Sequence, residues 1–264
     1  MTTDPVPPSL AAYYAALDDG RMADAAASFS FDACFAGPAP AVIETDPRVL
    51  TIGRDAIRAR FDGRGVRTDV HDVVACVHEG RSCLLEGVSR DGVSGEALQS
   101  FVASAQLDDA GLIERYLAFA STSLIAPYDA PASSTVDALG LLDTYFHALD
   151  TGDFATAAAC FSEDTLYSHP PYKHTGLDGS ARVEFDGRPA LLDAFRARGL
   201  ASFDHRIVAG AQRGAHAIVE GLVENLPAAA AHRTGSFISH LTLDGDGLIR
   251  RYATFYCEPG VPRS

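Results

Sequence analysis

The feature that most constrains the fold is an internal duplication. Residues 13–20, Tyr-Tyr-Ala-Ala-Leu-Asp-Asp-Gly, return as Tyr-Phe-His-Ala-Leu-Asp-Thr-Gly at 145–152, which is 132 positions later. Near the end of each half, Gly-Leu-Ile-x-Arg-Tyr at 111–116 returns at 247–252, now 136 positions later. This period is far longer than the roughly 20–50 residues of solenoid repeats. We therefore expect two copies of one whole domain, and chemical differences between the copies should indicate where a site lies.

The domain boundaries follow from the repeat. The first copy covers residues 9–121 and the second covers 136–258. Between them, residues 122–135 contain prolines and small polar residues without periodicity, which is typical of a linker. Each copy is close to the common domain size of about 100–150 residues, so each can bury its own core.

Composition excludes some classes of partner. The chain has 21 Lys+Arg against 35 Asp+Glu, a net charge of −14 that repels phosphate backbones, so we expect no nucleic-acid partner. No stretch approaches the roughly 20 apolar residues of a membrane span, and the N-terminus lacks signal-peptide features. We therefore expect a cytoplasmic protein without a membrane partner. The five cysteines form no CxxC pair and are interpreted as free thiols, and we expect no cofactor and no metal.

The order of periodic segments is the same in both copies. Two segments of helical spacing come first, then a strand, and then a third helix that opens at Gly-Arg, residues 53–54 and 187–188. Four strand-like runs close each copy. Helices grouped early and strands grouped late predict an α+β fold, in which a curved, mostly antiparallel sheet is covered by about three helices.

Three motifs carry a resemblance to a known superfamily. They are Tyr-x-x-Ala-Leu-Asp-x-Gly, the Gly-Arg opening of the third helix, and the closing Asp-x-x-Gly-Leu-Ile-x-Arg-Tyr. Together they resemble the NTF2-like or SnoaL-like superfamily of cystatin-like α+β cones, which includes ketosteroid isomerase, polyketide cyclases and limonene-epoxide hydrolase. The resemblance covers both copies nearly end to end. It implies a cone-shaped cavity in each copy and, because family members commonly pair, a monomer whose two copies form an intramolecular pseudo-dimer.

Ketosteroid isomerase implies candidate catalytic residues in the second copy. The resemblance places Tyr145 and Ser239 at the positions of its oxyanion hole, and His169 at the position of its base. The corresponding residues of the first copy are Tyr13, Gly37 and Ala103. The second copy keeps three groups that can hold or move a proton, and the first keeps one. We therefore predict the site in the second copy and a degenerate site in the first.

Polar and aromatic side chains near these positions are the candidate substrate-binding residues. They are Tyr167, Tyr172, Glu184, Glu220, His240 and Tyr252. The first two flank His169, and Glu184 belongs to an expected lid loop before the third helix. Because side chains alternate along a strand, only one of Ser239 and His240 can face the cavity, and the resemblance favours Ser239.

These observations predict a small-molecule enzyme of the SnoaL-like type. It would carry out isomerase- or cyclase-like proton transfer on a hydrophobic, carbonyl-bearing metabolite in the second copy. Two alternatives stay open. One is a non-catalytic protein that binds a small ligand or acts as an accessory module. The other is an epoxide-opening hydrolase or cyclase, for which the strand at 216–224 offers acids but no arginine.

Overall fold

The chain forms two compact units, each with its own sheet. The structure is a computed structural model that describes residues 4–40, 50–64, 68–121, 134–170, 182–226, 233–257 and 261. One unit is built mainly from residues up to 124, and the other from residues 125–260. Each contains a six-stranded sheet and three helices among the described residues, which confirms the predicted α+β fold.

The first domain has a mixed sheet. Its elements are α1 (Pro8–Asp18), α2 (Met22–Ala27), β1 (Phe29–Pro40), β2 (Thr51–Ile52), α3 (Arg54–Asp62), β3 (Asp69–Glu79), β4 (Ser82–Asp91), β5 (Ala97–Leu107) and β6 (Ile113–Ser121). The strand order is β2-β1-β6-β5-β4-β3. β1 and β6 are parallel, and the other neighbours are antiparallel.

The second domain repeats this arrangement. Its elements are α4 (Ala138–Thr151), α5 (Phe154–Ala159), β7 (Phe161–His169), β8 (Val183–Asp186), α6 (Arg188–Arg198), β9 (Asp204–Arg213), β10 (His216–Glu224), β11 (Gly235–Leu243) and β12 (Ile249–Cys257). The order β8-β7-β12-β11-β10-β9 matches that of the first domain strand for strand. The equal order confirms that the duplication in sequence is a duplication of fold.

The first helices of the two domains begin differently and end at similar turns. α1 begins at a proline, whose fixed φ suits the first turn, and it has no side-chain cap. α4 is capped by Asp137, whose carboxylate accepts hydrogen bonds from the amides of Leu139 and Gly140. It ends at Gly152, where φ of 81° requires a residue without a Cβ penalty.

An aromatic core lies between each sheet and its helices. In the second domain, Tyr145 of α4 packs edge-on against Phe161 with ring centroids 5.0 Å apart. The equivalent pair in the first domain, Tyr13 and Phe29, has centroids 5.2 Å apart. Burying each phenylalanine stabilises the fold by about 1.5–3 kcal/mol.

Two short strands were not predicted. They lie between the first strand and the third helix of each domain, where no strand was expected, and β2 pairs with β1 as β8 pairs with β7. Glu184, expected in a lid loop, therefore lies on β8, opposite Ser168. The prediction of a lid loop at Glu184 is wrong, because a four-residue edge strand carries no periodicity that a single sequence would reveal.

Candidate functional site

Two tyrosine hydroxyls meet inside the second domain. Tyr145 on α4 and Tyr167 on β7 are hydrogen bonded through their hydroxyl oxygens at 3.1 Å, and both side chains are buried. The ring of Tyr167 stacks on that of Tyr252, with centroids 4.9 Å apart. The strand register places Tyr167 directly beside Tyr252. Three of the predicted site residues therefore form one packed cluster on the helix side of the sheet.

Ser239 belongs to a second hydroxyl chain at the same cluster. Its Oγ donates to Oγ1 of Thr254 at 2.8 Å and lies 2.8 Å from the hydroxyl of Tyr252. Because the only proton of Ser239 goes to Thr254, Tyr252 must donate to Ser239. Thr254 was missed by the sequence reasoning. The available signal was its position two residues after Tyr252, on the same face of β12.

His169 lies at the end of β7, partly exposed, beside this cluster. Its ring is parallel to that of Tyr167 at a centroid distance of 6.3 Å. Nδ1 donates to the carbonyl oxygen of Pro170 at 2.5 Å, so Nε2 is the unprotonated nitrogen of the neutral ring. Burial lowers the pKa of His169 to about 3, and the nearby charge of Arg182 lowers it further. The imidazole is therefore neutral at physiological pH and can accept a proton, although as a weak base.

Arg182, just before β8, contacts both β7 and β12. Its Nε donates to Oγ of Ser168 at 2.6 Å, and Nη2 donates to the backbone carbonyl of Thr254 at 2.7 Å. The guanidinium lies 4.6 Å from the ring centroid of Phe255. Burial lowers the pKa of Arg182 to about 10, which still leaves it charged at neutral pH. Arg182 thus places a fixed positive charge near the end of β7.

Glu220 and His240 lie on the opposite face of the sheet. His240 alternates with Ser239 along β11, and Glu220 pairs with Ile238, which shares the face of His240. Both side chains are fully buried. Arg251 joins them on this face, with Nη1 3.3 Å from Nδ1 of His240. The structure therefore separates these two predicted substrate-binding residues from the tyrosine cluster.

A cleft of about 200 Å³ runs along β7, β8 and β12. It is lined by Leu166, Tyr167, Ser168, Glu184, Phe185, Asp186, Arg251 and Tyr252. Three predicted substrate-binding residues, Tyr167, Glu184 and Tyr252, thus border one space. Tyr172, also predicted to bind substrate, lies outside the described residues.

Within the residues that the structure describes, no helix combines the length and apolar character needed to cross a bilayer. Within the same residues, no group of three or more His, Cys, Asp or Glu side chains is arranged to hold a metal ion.

A family comparison identifies the class of the second domain. Residues 142–252 match the model of the SnoaL-like domain. The second domain is therefore a SnoaL-like domain, and the equal strand order of the two sheets fits a tandem of two NTF2-like cones. No curated protein matches the chain.

Solved structures resemble about half of the chain. A putative ketosteroid isomerase from Kribbella flavida is 22% identical, with a TM-score of 0.35, over 47% of this chain and 81% of its own. A protein of unknown function with a cystatin-like fold from Methylobium petroleophilum is 20% identical (TM-score 0.38), over 51% and 84%. A putative polyketide cyclase from Sinorhizobium meliloti is 19% identical (TM-score 0.33), over 44% and 93%.

Proposed function

We propose that the second domain is a small-molecule enzyme that moves a proton on a hydrophobic, carbonyl-bearing metabolite. The observation that carries this proposal is the position of His169, which is neutral and parallel to the ring of Tyr167, whose hydroxyl is bound to that of Tyr145. A proton acceptor and a pair of hydroxyl donors on one packed cluster are the groups that enolisation requires.

In the proposed reaction, Nε2 of His169 removes a proton from the carbon next to the carbonyl group. The two electrons of that C–H bond move to the carbonyl oxygen and form an enolate. A hydroxyl of the Tyr145–Tyr167 pair donates a hydrogen bond to this oxygen. The low pKa of His169 makes it a weak base on its own. The developing negative charge of the substrate raises that pKa during the reaction, because an adjacent anion favours the imidazolium.

The test is hydrogen–deuterium exchange at the carbon next to the carbonyl, followed by proton NMR in D₂O. Suitable probes are apolar cyclic ketones and their β,γ-unsaturated analogues. His169→Gln should slow enzyme-dependent exchange by about 100-fold or more, the usual contribution of a positioned acid or base. His147→Gln is the matched control, because His147 is exposed on α4. Exchange by His169→Gln within about threefold of the unchanged protein would contradict the role of His169.

A second candidate is a non-catalytic small-ligand protein, supported by a different observation. The hydroxyls of Tyr145 and Tyr167 are hydrogen bonded to each other, and so are those of Tyr252 and Ser239. Tyr167 and Tyr252 also line the cleft of about 200 Å³. Saturable ketone binding without exchange would favour this alternative.

Epoxide opening has less support. Its acid candidate, Glu220, lies on the face away from the tyrosine cluster, and Glu224 is paired at the surface with Arg206.

A further inference from the structure

Two thiols meet on neighbouring strands of the first domain. Cys76 on β3 and Cys83 on β4 are free cysteines, and both side chains are buried. Their sulfur atoms are 3.5 Å apart. In the register of the two strands, Cys76 faces Leu85 and Cys83 faces His78, so the two cysteines are diagonal neighbours. The first domain therefore contains a compact dithiol, formed by Cys76 and Cys83.

The diagonal position decides which bonds the dithiol can form. The Cα atoms of diagonal neighbours in an antiparallel pair are about 7–8 Å apart. A disulfide needs Cα atoms about 4.4–6.8 Å apart, and beyond about 7 Å the backbone must move. An atom held between the two sulfurs requires no such movement, because the sulfurs already lie close together without a bond. The geometry therefore favours a bridging atom over an internal disulfide.

Cys83 also borders a cleft of about 390 Å³ beside the turn between β3 and β4. Apolar side chains form much of its wall, namely Pro5, Val6 and Pro7, which precede α1, and Leu107 at the end of β5. Pro5 is exposed, which gives the cleft a mouth at the surface. A small apolar group attached to a bridging atom therefore has space next to Cys83.

The second domain has no counterpart of this dithiol. Gly210 and Ala217 stand at the equivalent positions of β9 and β10. A Cβ atom on Gly210 would lie 2.8 Å from Cδ2 of Leu139, so the side chain of Leu139 fills this space. The first domain has Pro7 in place of Leu139, and Pro7 lines the cleft. The two thiols and the cleft therefore occur together in the first domain.

The two thiols differ in their readiness to lose a proton. The hydrogen bond that Cys83 donates to the sulfur of Cys76 lowers the pKa of Cys76. The same hydrogen bond, followed by burial, raises the pKa of Cys83. Because the thiolate is the reactive form of cysteine, Cys76 is the stronger nucleophile of the pair.

The number of sulfur atoms and the apolar surroundings select the class of ligand. Zinc takes four ligands, and within the described residues no group of three or more His, Cys, Asp or Glu side chains is arranged to hold a metal ion. A monovalent soft ion such as Cu(I), bound by two thiolates, would bury a net negative charge, which is costly. A trivalent arsenic atom with one organic substituent has two positions for sulfur, and its dithiol adduct is neutral.

We propose that Cys76 and Cys83 form a modification site for a monosubstituted trivalent arsenical, whose organic group lies in the cleft beside Cys83. In its hydrated form such a compound carries two hydroxyl groups on arsenic. The sulfur of Cys76 attacks arsenic first, and one hydroxide leaves as water with the proton of the thiol. Cys83 displaces the second hydroxide in the same way. Two As–S bonds form and two As–O bonds break, while arsenic stays trivalent and nothing is oxidised or reduced.

The test is intact-mass spectrometry of the full chain after treatment with phenylarsine oxide. The unchanged protein should gain one phenylarsenic group in place of two hydrogens. Excess β-mercaptoethanol, a monothiol, should leave this adduct in place, and dimercaptopropanol, a dithiol, should remove it.

Single substitutions test each thiol separately. Cys83→Ala, which copies Ala217, and Cys76→Ala should each weaken retention against the monothiol by about 100-fold or more, because the second bond to the same atom forms at high effective concentration. Cys34→Ser is the matched control, because Cys34 is a half-buried thiol outside the pair, and it should retain the adduct as the unchanged protein does.

Circular dichroism shows that each variant is folded before it is treated, and either single variant provides the test if the other does not fold. The proposal is overturned if the unchanged protein loses the adduct to the monothiol, or if a folded single variant retains it equally well. A disulfide between Cys76 and Cys83 in the air-equilibrated protein would also overturn it. The dithiol belongs to the first domain, so none of these outcomes decides the role of His169, which the exchange assay tests.

Discussion

The two domains share a strand order and differ in what lies under the sheet. In the first, Ala120 leaves a pocket beside a linked pair of tyrosine hydroxyls. In the second, Tyr256 fills the equivalent space, and the linked hydroxyls are those of Tyr145 and Tyr167. The aromatic packing is the same in both domains. Phe35 stacks on Tyr116 in the first domain, and Tyr167 stacks on Tyr252 in the second.

This comparison shows that hydroxyl groups can stand at different positions in two duplicated domains while the aromatic packing stays the same. Tyr167 carries a hydroxyl that Phe35, its equivalent in the first domain, lacks. Conversely, Tyr14 carries a hydroxyl that Phe146, its equivalent in the second domain, lacks. Each domain therefore buries paired tyrosine hydroxyls, but the pairs reach different parts of the interior.

The largest expected difference between the domains is in acid sensitivity. His169 has its pKa lowered to about 3, against 6.5 in the unfolded chain, so folding favours its neutral form. The resulting stability is complete above pH 6.5 and is lost as the pH falls towards 3, by at most about 1.4 kcal/mol per pH unit. The first domain has Gly37 at this position and lacks this contribution. Urea unfolding at several pH values should show it.

His169→Gln should remove part of this acid sensitivity, and His147→Gln should not. Parallel pH profiles for His169→Gln and the unchanged protein would show that His169 is not held neutral by burial.

The next largest effect concerns the filled interior of the second domain. Gly235→Ala places a methyl group against the ring of Tyr256 and should lower the free energy of unfolding by about 1–3 kcal/mol. Adding Tyr256→Ala should recover part of that loss, because the two positions are in contact. Denaturant titration of the single and double variants measures this coupling. Additive losses would show that Tyr256 does not occupy the space beside Gly235.

The smallest effect concerns the starts of the first helices. Asp137→Ala removes the carboxylate that caps α4 and should cost about 1 kcal/mol. Asp143→Ala, at an exposed position within α4, is the matched control and should cost less. α1 has no side-chain cap to lose. Equal losses for the two aspartates would show that the cap of α4 contributes little.

The α+β fold could be predicted from the sequence, because the repeat of motifs and the periodicity of apolar residues both indicate it. The duplicated motifs and the grouping of helices before strands define the α+β domains without any contact information. The short strands β2 and β8 were not predicted. They form because they pair with a neighbouring strand, and they have no local sequence pattern of their own.

Only part of the candidate site could be predicted from the sequence. Tyr145, Tyr167 and Tyr252 were named as candidates, and the structure brings them together. The inward face of β10 and β11 could not be decided in advance, because a strand alternates both ways and both faces of these strands are buried. The pocket of the first domain was missed, because only three positions were compared between the copies. The informative exchanges, Ala120 for Tyr256 and Gln99 for Gly235, are visible once the strand register is known.

The most direct test of the central contrast is a high-resolution crystal structure of the full chain without added ligand. An ordered water should lie within hydrogen-bond distance of the hydroxyl of Tyr14 or Tyr116, next to His71. The equivalent space in the second domain should hold the ring of Tyr256 and no water. A first-domain pocket closed by side chains, or a water beside Gly235 with Tyr256 turned away, would contradict the account.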